Sequence, residues 1–287
     1  MLELPELEVI RERLRLKLVG RGIEDARLYQ QPAFRGVDAT LQQLRAGRVR
    51  TIDRTGQHLV VSTDTGLILD FDFTRGGGIE MVEAGRSNPP GLAFLLILSE
   101  GPSLCISDHR FPSRVAICLA RDMKQLSRVC ELGVDAFSPD FTLDRFRRVL
   151  RRRNRPVRHL LTDHRQIAGL GPACADEVLF EARLSPYATT DGIKPEESIR
   201  LYMAAKKFLG SAVVHYKNLP AGRLPDCRER DFLKVHRREG QPCPACATTI
   251  RLVRDGHIIS HYCPACQTGG EVLADRSQPV PEPPKHA

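Results

Sequence analysis

The chain has 287 residues, of which 41% are hydrophobic, and it carries a formal net charge of +8 with a pI near 9.2. This length and composition allow one large or two modest domains with a substantial core. The sequence contains no apolar run of about 18 residues, which argues against a transmembrane helix, and its acidic opening argues against a signal peptide. The positive charge favours a polyanionic partner over an acidic small substrate.

The first half of the sequence predicts one helix followed by a β-rich region. Apolar residues from Leu7 to Leu18 have the spacing of one helical face, and Gly20 is placed to end the helix. Short β-type runs between residues 23 and 119 are separated by Gly, Pro, Asp and Thr clusters, as in a β-sandwich or barrel. We therefore expect residues 1–135 to form a β-sandwich with a leading helix.

A helical region follows, and Thr142 is placed to cap its first helix. We expect this helical domain over residues 136–225, a cysteine module over 235–270 and a disordered, Pro-rich tail over 271–287. Together these segments predict an α+β multidomain protein.

Four of the nine cysteines form two Cys-x-x-Cys pairs separated by sixteen residues. The segment between the pairs can form a hairpin around Asp255 and Gly256. Two redox dithiols are the alternative, but redox motifs of this kind usually occur singly near a βαβ pattern. The spacing predicts one structural zinc ion, Zn²⁺, held by Cys243, Cys246, Cys263 and Cys266.

Eight arginines and no acidic residue lie between Arg145 and Arg158. Such a run is usually a solvated face. Uncompensated like charges repel one another unless an anion is present, so we favour contact with phosphates and take Arg152 as a candidate.

A glycine-containing turn comes next in the chain. Gly169 and Gly171 allow a tight turn and the close approach of another backbone, and Pro172 fits the first turn of a following helix. Exposed amides at such a helix start bind anions. The turn alone does not separate an anion site from ordinary helix packing.

Three motifs, in this order, resemble the formamidopyrimidine-DNA glycosylase and endonuclease VIII family. They are the opening Met-Leu-Glu-Leu-Pro-Glu at residues 1–6, the segment 167–180, and the terminal four-cysteine module. The resemblance implies an N-terminal β-sandwich, a helix-two-turn-helix domain and a zinc finger that bind damaged double-stranded DNA and flip the lesion out of the stack. It also implies that the amine of the N-terminal residue attacks the sugar C1′, while the following glutamate acts as acid and base.

The N-terminus departs from this family. Most members have proline after the initiator methionine, whereas this chain has Leu2, whose size should block removal of Met1. An α-amine has an unperturbed pKa of about 7.7 to 8.0, so a useful fraction is a free nucleophile near neutral pH. We therefore take Met1, Leu2 and Glu3 as the catalytic candidates.

Other expected contact positions have also changed. Gln57 stands in place of a lysine in a Gly-Lys element, Pro172 in place of an asparagine that binds phosphate, and Ile258 aligns with the finger's usual arginine. Arg110 and Phe111 resemble a loop that fills the void left by the flipped base; a surface charge and a core aromatic are the alternative. The candidates for DNA contact are Gln57, Arg110, Phe111, Arg152, Gly169, Gly171, Pro172 and His257.

Functions of different classes remain open. The first is a DNA glycosylase of base-excision repair, in which Leu2 and Gln57 argue against AP-lyase activity. The second is a catalytically degenerate protein that binds damaged or abasic DNA, and a third is an RNA-binding zinc-ribbon protein that prefers A-form duplex. Glu3, in an otherwise intact opening motif, favours the glycosylase. We expect a cytoplasmic, nucleoid-associated bacterial monomer.

Overall fold

The computed structural model describes residues 1–36, 39–83, 86–109 and 114–276. The chain folds as two compact units, each built from separate stretches of sequence. Unit 1 comprises Met1–Arg145, Leu161–Gly171 and Leu209–Asp231. Unit 2 comprises Phe146–Leu160, Pro172–Phe208 and the chain from Phe232 onward. The domain boundaries expected from the sequence stay predictions, and the expected tail lies outside the described residues from 277 onward.

Unit 1 begins with helix α1, Leu4–Leu18, and continues with two β-sheets. The strands are β1 Ile23–Leu28, β2 Phe34–Gly36, β3 Val49–Thr55, β4 His58–Thr63, β5 Ile68–Asp72, β6 Gly78–Val82, β7 Leu92–Leu98, β8 Ser103–Ser107 and β9 Ala116–Ala120. One sheet has the strand order β1-β7-β8-β6 and the other has the order β2-β9-β5-β4-β3.

One hydrophobic core joins α1 to both sheets. Leu7, Ile10, Leu14 and Leu18 are fully buried in it, which confirms the helical face expected from their spacing. Both sheets contribute alternate residues to the same core, as the two inner faces of a β-sandwich do. The expected leading helix and β-rich region are therefore confirmed.

A smaller set of elements also belongs to unit 1. Helix α2 spans Ser127–Cys130, and strand β10, Val134–Asp135, pairs in parallel with β11, Ile167–Ala168. The predicted cap at Thr142 is confirmed, because its hydroxyl accepts a hydrogen bond from the amide of Arg145 at 3.2 Å.

The remaining elements are helical, apart from one hairpin. They are α3 Leu143–Arg151, α4 Val157–Leu161, α5 Pro172–Glu181, α6 Pro195–Lys217, β12 Arg251–Asp255, β13 Ile258–Tyr262 and α7 Pro264–Gln267. Strands β12 and β13 are antiparallel, with Asp255 opposite Ile258, so the predicted hairpin is confirmed with its turn at residues 256–257. Within the described residues, every helix is too short or too polar to cross a membrane.

A partly buried ion-pair cluster connects three elements of unit 1. The guanidinium of Arg54 on β3 donates to Glu8 of α1 at 2.7 Å and to Asp135 of β10 at 2.5 and 3.1 Å. The Arg54 side chain is only 6% exposed. Asp135 also accepts the backbone amide of Gly56, so the cluster fixes the turn between β3 and β4.

We predict that Arg54→Met lowers the free energy of unfolding by about 3 kcal/mol, because two partly buried carboxylates lose their common cation. Guanidinium denaturation followed by circular dichroism measures the change. Arg21→Met is the matched control, since Arg21 is 41% exposed in its pair with Glu100 and its loss should cost less than about 1 kcal/mol. Similar losses in the two variants would contradict the role assigned to Arg54.

Candidate functional site

The N-terminal segment of unit 1 carries a buried acidic pair. Glu3 and Glu6 are 1% and 2% exposed. The guanidinium of Arg230 donates to Glu6 at 2.8 Å and to Glu3 at 3.4 Å, and the hydroxyl of Tyr216 donates to Glu6 at 3.0 Å. Burial alone would lower the pKa of Arg230, but the two carboxylates outweigh burial and raise it. The cluster therefore holds one fixed cation between two carboxylates.

The glycine turn at residues 169–171 packs closely against the N-terminal segment. The amide of Leu4 donates to the carbonyl of Gly169 at 3.1 Å, and the amide of Gly171 donates to the Glu3 carboxylate at 3.1 Å. A Cβ atom at Gly169 would lie 2.5 Å from Leu4, and one at Gly171 would lie 2.4 Å from Glu3. The expected close backbone approach is thus present, and the partner is the chain's own N-terminus.

Leu2 and Gln57 are in contact in the interior of unit 1. The Leu2 side chain is 1% exposed and belongs to the hydrophobic core. The Gln57 side chain is also buried, and its amide nitrogen donates to the Leu2 carbonyl at 2.9 Å. The Gln57 side-chain oxygen has no hydrogen-bond partner among the described residues. Gln57 thus supports the N-terminal backbone, and its contact with DNA stays a prediction.

The N-terminal amine opens onto a cavity. Met1 is partly exposed, its amine lies 3.2 Å from the Cys227 sulfur, and its carbonyl accepts a hydrogen bond from Arg230 at 3.1 Å. Met1, Leu2 and Cys227 line a cavity of about 730 Å³ within unit 1, together with residues around Glu80 and Asp108. A pocket of this size accommodates a small molecule or a nucleoside.

His164 is a further polar neighbour of Glu3. Its Nδ1 accepts a hydrogen bond from the Gly169 amide at 3.4 Å, so a neutral ring carries its proton on Nε2. Burial lowers the pKa of His164, although the charge of Glu3 opposes this change. Burial therefore favours the neutral ring, whose Nδ1 accepts a hydrogen bond and whose Nε2–H can donate one.

The basic segment is partly compensated. Arg158, the last of its eight arginines, is buried and donates from Nε to Asp176 at 3.0 Å. The Asp176 carboxylate also contacts Nδ1 of His236 at 2.7 Å and Nδ1 of His261 at 3.1 Å. The expectation that all eight charges are uncompensated is wrong at Arg158, because its partner lies eighteen positions further along the chain. Arg152, in contrast, is exposed.

Other candidates for DNA contact differ in exposure. Pro172, at the start of α5, and His257, in the hairpin turn, are both exposed. Arg110 and Phe111 lie outside the described residues.

The four-cysteine cluster in unit 2 fits a tetrahedral metal. The four sulfur atoms all lie within 4.8 Å of one another. Sulfur separations of 3.4, 3.5 and 4.0 Å occur among them. A zinc–sulfur bond of about 2.3 Å gives a tetrahedral edge of about 3.8 Å, in the middle of these values. Cys243 and Cys263 also pack in a small core with Phe180 and Val235.

Sequence reasoning missed Arg230, Tyr216, His164 and Cys227. Only an indirect signal was available, namely that two acidic residues buried at the start of α1 require a cation from elsewhere in the chain. The first two of these residues lie more than 200 positions from the glutamates that they contact. Local periodicity carries no information about such pairs.

Known proteins are similar to this chain over nearly its whole length. Residues 1–115 match the formamidopyrimidine-DNA glycosylase N-terminal domain, and residues 132–219 match the formamidopyrimidine-DNA glycosylase H2TH domain. A formamidopyrimidine-DNA glycosylase of Thermus thermophilus is 34% identical over 280 residues, which cover 94% of this chain and 100% of that protein. One of Pelotomaculum thermopropionicum is 30% identical over 93% of this chain and 99% of its own length.

Solved structures agree with these matches. The MutM (Fpg) protein of Thermus thermophilus superimposes with a TM-score of 0.79 at 30% identity, covering 92% of this chain and 98% of that chain. A Lactococcus lactis Fpg in complex with DNA containing an abasic site gives a TM-score of 0.80 at 20% identity, covering 93% and 99%, and so supports the fold alone. These matches define a protein with a glycosylase-type N-terminal domain followed by an H2TH domain. The chain belongs to the formamidopyrimidine-DNA glycosylase family, and the expected fold class is confirmed.

The contacts of Asp176 predict that the stability of the folded protein depends on pH. Burial raises the pKa of Asp176, but Arg158, His236 and His261 outweigh it and lower the pKa from 3.8 to about 2. A lowered pKa stabilises the folded state above the unfolded pKa, and this contribution is lost as the pH falls from about 4 to about 2. Asp176→Asn should therefore lower the free energy of unfolding by about 2 kcal/mol at pH 7, and by progressively less below pH 4.

Chemical denaturation of both proteins between pH 7 and pH 2 tests this prediction. Asp275→Asn is the control, because that side chain is 55% exposed, and its difference from wild type should stay small at every pH. A difference between wild type and Asp176→Asn that does not change below pH 4 would rule out the assigned linkage.

Proposed function

We propose that this chain is a DNA glycosylase of base-excision repair that releases a damaged base from double-stranded DNA. The observation that carries the proposal is the buried Glu3 carboxylate, held by Gly171 and Arg230, two residues after Met1, whose amine opens onto a cavity. Relatives that match this chain over their whole length are named formamidopyrimidine-DNA glycosylases, which supports the same activity here.

The cavity suits a nucleotide turned out of the helix. A base inside a duplex is out of reach of protein groups, so enzymes that act on it extrude the nucleotide into a pocket. The cavity of about 730 Å³ is large enough, and Glu80, Asp108 and backbone groups of residues 76–79 offer polar partners to a base edge. The hydrogen bonds that these groups can form with a base edge would select which damaged base is bound.

The Met1 amine is the proposed nucleophile. Its nitrogen attacks the sugar C1′, the bond from C1′ to the base breaks, and the base leaves with that electron pair and takes up a proton. Glu3 lies close by in the chain and can move protons between the amine, the sugar and the departing base. Arg230 donates hydrogen bonds to the Glu3 carboxylate and to the Met1 carbonyl and so holds both in place, which makes it a positioning residue.

DNA contacts would come from exposed residues of unit 2. Arg152 is an exposed arginine of the basic segment, and Pro172 and His257 are also exposed. A guanidinium donates charge-assisted hydrogen bonds to phosphate oxygens, and most protein–DNA hydrogen bonds go to phosphate and sugar. Gly169 and Gly171 are buried against the N-terminal segment, so their proposed effect on DNA binding is indirect.

We also propose that the four-cysteine cluster holds one zinc ion. Four thiolates leave no open coordination position, so the metal would stabilise the hairpin and its small core without touching substrate. The hairpin displays His257 at its turn. Loss of the metal would therefore disturb DNA affinity through the fold of this module.

Glu3→Gln should lower base release by about 100-fold or more, because the amide cannot exchange a proton, while duplex affinity stays near that of wild type. Single-turnover base release from a panel of damaged duplexes, beside equilibrium binding, measures both quantities. Glu24→Gln on the exposed face of β1 is the control, and it should release base at the wild-type rate.

Two outcomes would count against the proposal. Equal rates for Glu3→Gln and wild type would remove Glu3 from the chemistry. Tight binding without base release from any duplex, by wild type as well, would identify a protein that recognises damage without catalysis.

For the metal, we expect about one equivalent of zinc per chain and a marked fall in thermal stability on chelation. Colorimetric zinc release and thermal unfolding measure these effects. Cys246→Ser should reproduce the loss of zinc, whereas Cys118→Ser, at a cysteine outside the cluster, should not. A chelated protein with unchanged stability would argue against a structural metal.

A further inference from the structure

The N-terminal amine and a cysteine thiol lie side by side at the wall of the cavity. The Met1 nitrogen donates to the Cys227 sulfur at 3.2 Å, and both residues line the space of about 730 Å³. Both are partly exposed, so a molecule in the cavity can reach them. The glycosylase step described above uses the amine but assigns nothing to the thiol.

The fold holds both groups in place. Leu2 anchors the N-terminus in the core, and Arg230 binds the Met1 carbonyl at 3.1 Å. Cys227 packs against the same core on the segment 222–229, which forms one wall of the cavity. Its side chain is also hydrogen-bonded to Asp226. Two nucleophiles and a carboxylate thus converge without any rearrangement of the chain.

This arrangement matches the reactivity of an aldehyde. An amine condenses with an aldehyde to an iminium ion, and a thiol adds to the iminium carbon. An abasic site in DNA exposes such an aldehyde at C1′ when its sugar ring opens. We propose that Met1 and Cys227 together capture the C1′ aldehyde of an abasic site, forming a covalent adduct in which C1′ carries both nitrogen and sulfur. The inference rests on the proposed function, since it requires the chain to engage damaged DNA.

The atoms balance without an oxidant or a reductant. The Met1 nitrogen forms a bond to C1′, and the aldehyde oxygen leaves as water. The thiol proton passes to the Asp226 carboxylate, sulfur bonds to C1′, and the electron pair of the carbon–nitrogen double bond returns to nitrogen. Aldehyde, amine and thiol thus give one adduct and one molecule of water.

The geometry favours this second addition. Nitrogen and sulfur bonded to the same tetrahedral carbon lie somewhat closer together than 3.2 Å, so a small approach suffices. Because the thiol is already at the reacting centre, its addition is effectively unimolecular.

The adduct would have a specific consequence for the DNA. Strand cleavage at a Schiff base begins with loss of a proton from C2′, which the electron-poor iminium carbon makes acidic. Addition of sulfur saturates that carbon and removes this activation. The adduct would therefore protect an abasic site from strand cleavage.

The test uses the full-length, zinc-loaded protein and a duplex with one abasic site. Wild type should give a denaturation-stable protein–DNA adduct without borohydride. Peptide mapping should show the Met1 and Cys227 peptides joined through the sugar, with a mass equal to the sum of the components less one water. In Cys227→Ser, the adduct should fall about tenfold or more unless borohydride is added, because the neighbouring thiol is gone.

Two controls accompany this comparison. Cys130→Ser changes an exposed cysteine that does not line the cavity, and it should form the adduct as wild type does. Cys227→Ala repeats the loss of the thiol with a different side chain, and circular dichroism with duplex affinity checks that both Cys227 variants are folded.

The outcomes separate this inference from the proposed function. Equal adduct without borohydride in wild type and both Cys227 variants would overturn it, as would a wild-type adduct that always requires borohydride. An adduct with preformed abasic sites, but no base release from any damaged duplex, would support the thiol step while contradicting the glycosylase proposal.

Discussion

The N-terminal region depends on one cation, the guanidinium of Arg230, placed between two buried carboxylates. Glu3 and Glu6 are like charges a short distance apart in the interior of unit 1, and such a pair is costly unless it is compensated and hydrogen-bonded. Arg230 supplies the charge, while Gly171 and Tyr216 donate further hydrogen bonds. Because the same guanidinium binds the Met1 carbonyl, the placement of the carboxylates and the position of the N-terminal segment are set together.

Local signals predicted most of the scaffold. The spacing of apolar residues in α1, the cap at Thr142 and the hairpin between the cysteine pairs each depend on residues close in sequence, and each is confirmed. The glycine turn is an intermediate case. Its close approach was predictable because Gly169 and Gly171 have no side chain, but the anion that the described contacts place at the Gly171 amide is Glu3 of the same chain.

The polar network of the site could not be predicted in this way. Arg230 and Cys227 reach the N-terminus across more than 220 residues, and their partners depend on how the fold returns the chain to α1. Arg158 shows the same limit on a shorter scale, since its segment contains no acidic residue and its carboxylate partner lies on α5. A pattern of types and spacings identifies which groups need partners, whereas the tertiary fold decides which partners they receive.

The change from proline to Leu2 follows the same physical logic. A leucine side chain can be buried, and here it is a core anchor, so the N-terminal amine lies one residue further out, at Met1, beside Cys227. In the proposed chemistry this amine is primary. Its Schiff base can lose the proton on nitrogen and become a neutral imine, which withdraws electrons from the sugar less strongly than the permanently charged iminium of a secondary amine. Slower elimination from the sugar leaves more time for a neighbouring thiol to add, so the altered N-terminus and the position of Cys227 favour the same covalent product.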